Sequence, residues 1–141
     1  MKDVYVVYWS STGNTQAMAE AVGEGVTAAG GTAHVVEVSA ASAAELKNAD
    51  SFALGASAMG AEELDSEMDD FVTEVEGFAS GKTIGLFGSY DWGDGEWMRQ
   101  WVSRMEAAGA TVVGGEDCIA NLTPDEAAKE LCRALGEKLA K

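Results

Sequence analysis

Positive charge is scarce in this chain. Nine Lys and Arg face 24 Asp and Glu across 141 residues, a formal net charge of −15. Nucleic acid and anionic membrane surfaces repel such a chain, so neither is expected as a target, whereas basic protein surfaces attract it. The scarcity is uneven: no Lys or Arg lies between Lys2 and Lys47, nor between Lys47 and Lys82. Histidine and cysteine are also rare, with one and two copies. His34 stands in a strand-like run without ligand-type neighbours. Cys118 and Cys132 have neither CxxC nor metal-ligand spacing, so buried or half-buried thiols and no metal site are expected. A single Pro and no linker fit one domain over 1–141. No apolar run approaches the ~18 residues of a membrane span. No stretch reads as a secretory leader, and a cytoplasmic protein is expected.

What is present is an alternation of apolar runs and helical patterns. Strands are expected over 4–9, 33–38, 51–55, 83–88 and 111–113, the last continuing irregularly toward Ile119. Their weak polar alternation implies a parallel sheet covered on both faces. Helices are expected over 14–29, ending at Gly30-Gly31, and over 68–78 and 95–108. A short helix should follow Ser42, which forms a capping box with Glu45. A final helix should start at Thr123-Pro124-Asp125-Glu126, with Thr123 as cap. Five β-α repeats predict an α/β fold: a doubly wound five-stranded parallel sheet with helices on both faces. Ligands of such sheets bind beyond the carboxyl ends of the strands, so the loops after the first, third and fourth strands matter most.

The first of these follows Trp9 and reads Ser10-Ser11-Thr12-Gly13-Asn14-Thr15. Four hydroxyls, an amide, a glycine and a helix N-terminus suit a phosphate held without any cation. A Walker loop is excluded for want of G-K-[ST], and a dinucleotide fingerprint for want of G-x-G-x-x-G. The second runs Ala56-Ser57-Ala58-Met59-Gly60-Ala61-Glu62-Glu63, with a polarizable Met beside a Gly that lets the peptide turn either way. The third is Ser89-Tyr90-Asp91-Trp92-Gly93, where Tyr90 and Trp92 are expected in a turn with no core to bury them, as ligand-stacking candidates. Trp97 and Trp101 fall on the next helix and read as packing residues. A flat aromatic molecule with a phosphate tail satisfies all three loops, and FMN fits that description.

On the strength of W-S-x-T-G-N-T at 9–15, S-A-M-G at 57–60 and G-S-Y-x-W-G-D-G-x-W-M at 88–98, the chain resembles the short-chain flavodoxins of anaerobic bacteria over its whole length. The resemblance implies the strand order 2-1-3-4-5, noncovalent FMN and one-electron transfer between redox proteins by a monomer. It implies that residues 10–15 and Ser57 hold the phosphate. Trp92 and Met59 would cover opposite faces of the isoalloxazine, Glu62 would meet N3–H, and backbone around 89–93 would meet the pyrimidine edge. The Met59–Gly60 carbonyl would turn toward N5 on reduction. Ala61 stands where relatives often carry Asp, Asn or Gly, which makes that peptide flip costlier. Asp91 stands where relatives commonly have Gly and brings a carboxylate toward the ring.

Nine acids crowd the two flavin-facing loops: Glu62, Glu63, Asp65, Glu67, Asp69, Asp70, Asp91, Asp94 and Glu96. Taken as uncompensated, their field opposes added negative charge by roughly 1–3 kcal/mol after screening, a low-potential carrier. The alternatives weighed are a small FMN-dependent quinone or nitro reductase, a signalling receiver domain, and a binding module without flavin. A reductase needs a substrate shelf that this length hardly supplies. A receiver needs acids after the first strand and an Asp ending the third, where Ser10-Ser11-Thr12 and Gly55-Ala56-Ser57 stand.

Overall fold

In the computed structural model, which describes residues 3–10, 13–59, 63–90, 95–115, 118–121 and 123–140, β1 (Asp3–Trp9) puts Val4, Val6 and Tyr8 on one face and Val7 on the other. Both faces are covered. Val4, Val6, Tyr8 and Phe87 pack under α1 (Asn14–Ala28) and α5 (Glu126–Ala140). Val7, together with Phe52 and Leu54 of β3 (Ser51–Ala56), packs under α3 (Ser66–Glu76) and α4 (Glu96–Ala107). Strands buried on two faces cannot alternate apolar with polar, which is why their sequence does not.

The sheet order is β2 (Thr32–Glu37), β1, β3, β6 (Thr83–Tyr90), β7 (Thr111–Val113), all parallel. This is the expected 2-1-3-4-5 arrangement once the ribbon of β4 (Ala58–Met59) and β5 (Glu63–Leu64) is set aside. That ribbon was expected as plain loop; short antiparallel pairing between residues so few apart leaves no periodicity to read. The irregular continuation after 113 is a sixth main-sheet strand, β8 (Ile119–Asn121), pairing with Gly88, Ser89 and Tyr90. This long-range pairing carries β6 past the expected end at 88, so Ser89 and Tyr90 belong to a strand rather than a turn.

Helix ends differ where side chains chose other partners. The Asp65 carboxylate accepts the N–H groups of Glu67 and Met68 at 2.9 and 3.1 Å and starts α3 two residues ahead of the apolar pattern. Asp125, not Thr123, caps α5: its Oδ1 accepts Ala128 N–H at 2.8 Å. Ser42 precedes α2 (Ala43–Lys47) without capping it, and the Glu45 carboxylate accepts Tyr5 O–H instead. Gly30 and Gly31 close α1 as expected, donating to Thr27 and Val26 carbonyls.

Candidate functional site

Strand register builds the site. Trp9 pairs with Ala56, so Ser10 and Ser57 leave the carboxyl ends of neighbouring strands side by side. The chain passes from β1 to β2 on one side, while β3 lies on the other. The crevice of a doubly wound sheet opens at such a reversal.

Five of the residues expected to hold a phosphate, Ser10, Gly13, Asn14, Thr15 and Ser57, stand at this end of the sheet. Thr15, in the first turn of α1 and wholly buried, has its Oγ1 2.7 Å from Ser57 Oγ. Two hydroxyls separated by 42 positions in sequence thus share one proton path. Ser10 Oγ accepts the Gly13 N–H at 3.0 Å, which braces the turn and leaves the Ser10 hydroxyl proton to donate elsewhere. Gly13 takes φ +93°, a conformation that L side chains rarely adopt, and among the described residues no atom beyond its chain neighbours stands within 4 Å of where a Cβ would lie. An anion can therefore approach its backbone. Asn14, half-buried, opens α1.

The helix itself agrees with this use. α1 carries no acidic residue in its first turn, whereas α3, α4 and α5 carry Glu67 and Asp69, Glu96, and Glu126. The positive end of α1 is left for an outside anion, worth ~0.5–2 kcal/mol. Hydroxyl donors, an open glycine backbone and an uncommitted helix N-terminus fit a phosphate monoester, and the donor set contains no cation that would be needed for a polyphosphate with Mg²⁺.

The other two loops are placed in part. Trp9 ends β1 half-buried, and Ala58, half-buried, packs toward the same core. Met59 lies on β4, paired with Glu63. Ser89 is buried. Tyr90 is half-buried, its ring 5.5 Å from that of Trp97 and tilted 49°, so it has a core neighbour as well as a rim position. Asn121 Nδ2 donates to the Tyr90 carbonyl at 3.2 Å. Nothing local in the sequence marks an Asn as reaching a strand 31 residues away. Trp97 and Trp101 are packing residues, both 2% exposed. Ser11, Thr12, Gly60, Ala61, Glu62, Asp91, Trp92 and Gly93 lie outside the described residues.

Tertiary structure revises the charge inventory. Of the nine loop acids, Asp65 is buried and spent on capping α3. Asp69 pairs with Arg104, which also reaches Glu76 at 3.0 Å and so ties α4 to α3. Glu96 pairs with Arg99 at 2.8 Å. Hydrogen bonding to Glu76, and secondarily to Asp69, raises the Arg104 pKa against its partial burial, so this cation is permanent. The field of nine uncompensated charges is thus an overestimate, since two are neutralised by arginines that follow in the sequence. Elsewhere, His34 stacks on Tyr5 with ring centroids 4.8 Å apart and Nε2 3.3 Å from Asp3.

A family model described as Flavodoxin matches residues 6–136. The chain is 45% identical over 139 residues to a flavodoxin of Megasphaera elsdenii, covering 98% of both chains. It is 44% identical over 136 residues to a flavodoxin of Clostridium beijerinckii, covering 96% of this chain and 97% of that one. The solution structure of the two-electron reduced Megasphaera elsdenii flavodoxin superimposes with a TM-score of 0.88, covering 97% of this chain and 98% of that one.

Proposed function

This chain belongs to the flavodoxin family, and we propose that Ser10, Thr15 and Ser57, with Ser11, Thr12, Gly13 and Asn14 around them, hold the phosphate of its FMN. The protein is an FMN-binding electron carrier that passes electrons to redox partner proteins; it is not an enzyme. Flavodoxins are themselves instances of the rule that places ligands at the reversal of strand order, so the location is an example of it rather than a separate test.

The observation that carries the assignment is the Thr15–Ser57 hydroxyl pair, 2.7 Å apart at the joined ends of β1 and β3. When bound, FMN supplies the one-electron chemistry. The chain's own residues then have three tasks. The hydroxyls and the α1 terminus bind the phosphate without a compensating cation, so its negative charge adds to the local field. Trp92 and Met59 would cover the ring faces and exclude water, with Trp9 and Tyr90 at the rim; Ala58, Gly60, Ala61, Ser89, Asp91 and Gly93 would offer backbone groups, and the Glu62 carboxylate would accept a hydrogen bond from N3–H. The unpaired members of the acidic set, among them Glu67 and Asp70, make the site resist added negative charge, which lowers its potential.

The same acids guide partners. A net charge of −15 favours basic surfaces on reductases and oxidoreductases and speeds their encounter by steering. We assign the chain to the cytoplasm as a monomeric carrier. Among the described residues no helix is long and apolar enough to cross a membrane.

Purified protein should be yellow and release FMN rather than FAD on denaturation. Its second-order rate of reduction by a basic reductase should fall at least tenfold between ~20 mM and ~500 mM salt, as the Debye length shrinks several-fold. A flat salt profile would remove the steering, and release of another flavin would remove the phosphate assignment.

A further inference from the structure

The two cysteines, 14 positions apart, meet in the fold. Cys118 Sγ, at the foot of β8, lies 3.2 Å from Cys132 Sγ on α5, and both residues are buried, at 4% and 0% exposure. A disulfide needs sulfurs about 2.05 Å apart, so each would move only about half an ångström. Burial alone would make the pair inert packing. A second feature argues otherwise. A cavity of about 70 Å³ reaches Cys118 and is lined by Gly114, Leu131, Ala134, Leu135 and Lys138 as well. Leu131, Ala134 and Lys138 are exposed, so its mouth is at the surface. A water takes about 30 Å³ of liquid, so the space admits a molecule of two heavy atoms. Lys138 stands on the wall of the same cavity. Cys132 does not line the cavity.

We propose that Cys118 and Cys132 form a peroxide-reactive dithiol, in which Cys118 is oxidised through this cavity and Cys132 resolves it to a disulfide. In the first step the Cys118 sulfur attacks hydrogen peroxide, its O–O bond breaks, and the products are a sulfenic acid and one water. In the second, the Cys132 sulfur attacks that sulfenic sulfur, the S–O bond breaks, and the thiol proton leaves with the hydroxyl as a second water. Two thiols lose two electrons and peroxide gains them. The crosslink would close residues 118–132 into a ring. That ring starts at Cys118, whose carbonyl accepts Gly88 N–H, and contains β8, whose Asn121 braces Tyr90. The disulfide therefore staples α5 to the strand beside the aromatic loop. The proposal does not depend on which residues hold FMN.

The test uses the flavin-loaded protein, treated with hydrogen peroxide, quenched with catalase, denatured, alkylated and mapped by peptide mass. The expected product is a Cys118–Cys132 crosslinked peptide, lighter by two hydrogens than the reduced pair, unalkylated, and restored by dithiothreitol. Its melting temperature should be higher by on the order of 10 °C, as ring closure of this length implies. In Cys132→Ser, oxidation should stop at a dimedone-trappable sulfenic acid on Cys118. In Cys118→Ser, Cys132 should remain alkylatable. The wild-type mass readout stands even where a serine variant folds poorly. Recovery of both thiols after peroxide, overoxidation of Cys118 without crosslink, or equal reactivity of Cys132 in Cys118→Ser would each overturn the assignment.

Discussion

Thr15→Val separates phosphate recognition from packing. Thr15 is wholly buried, and valine keeps its shape while deleting Oγ1. In the flavin-free protein this removes one neutral hydrogen bond to Ser57, at 2.7 Å, costing about 1 kcal/mol of stability. With FMN bound, the lost hydroxyl either donates to the phosphate or orients Ser57 to do so. A charge-assisted bond contributes ~1.5–3 kcal/mol, so the dissociation constant should rise roughly 10- to 150-fold. Riboflavin, which lacks the phosphate, is the internal control and should change by less than about threefold. Ser57→Ala should weaken FMN similarly, and the double variant should lose less than the product of the two, because the pair shares one proton path. Titration of flavin fluorescence against apoprotein reads each of these affinities. Equal losses for FMN and riboflavin would mean that the substitution disturbs packing. Unchanged FMN affinity would refute the site.

Three further perturbations address other parts of the molecule. Gly25→Ala should cost about 2–3 kcal/mol, read as a lower urea midpoint at unchanged flavin spectrum: a Cβ there would lie 1.9 Å from the Arg133 carbonyl oxygen of α5, and the gain in helix propensity offsets little of that clash. Arg104→Met should cost about 1 kcal/mol by freeing α4 from Asp69 and Glu76, and the difference should shrink in 1 M salt. Trp92→Ala should weaken FMN binding roughly tenfold or more and shift the flavin absorption bands; the same affinity with the same spectrum would place Trp92 away from the ring.

Much of the fold was legible because its signals are local. Apolar runs marked the strands, and Gly30-Gly31 marked a helix end. The departures came from distant competitors. Tyr90 looked like a turn residue until β8 paired with β6 and extended the strand. Thr123 looked like a cap, but Asp125 lies closer to the first free N–H groups and its carboxylate accepts more strongly than a hydroxyl. Ser42 and Glu45 had capping-box spacing, but a five-residue helix gives the box little to stabilise, and Glu45 found Tyr5.

By itself the sequence determined the chemistry available: hydroxyls and a glycine without cations for a phosphate, a Met and a Trp loop for a flat ring, and an excess of acid. Composition and short motifs suffice for that, since each depends on residues within one turn or loop. Only the tertiary structure decided which groups meet. It set the Thr15 and Ser57 hydroxyls 2.7 Å apart, drew Arg99 and Arg104 onto two of the acids, and brought the Cys118 and Cys132 sulfurs within 3.2 Å. These are distances across strands and helices, fixed by register and by the packing of α1 and α5 on one face and α3 and α4 on the other. No spacing along the chain encodes them.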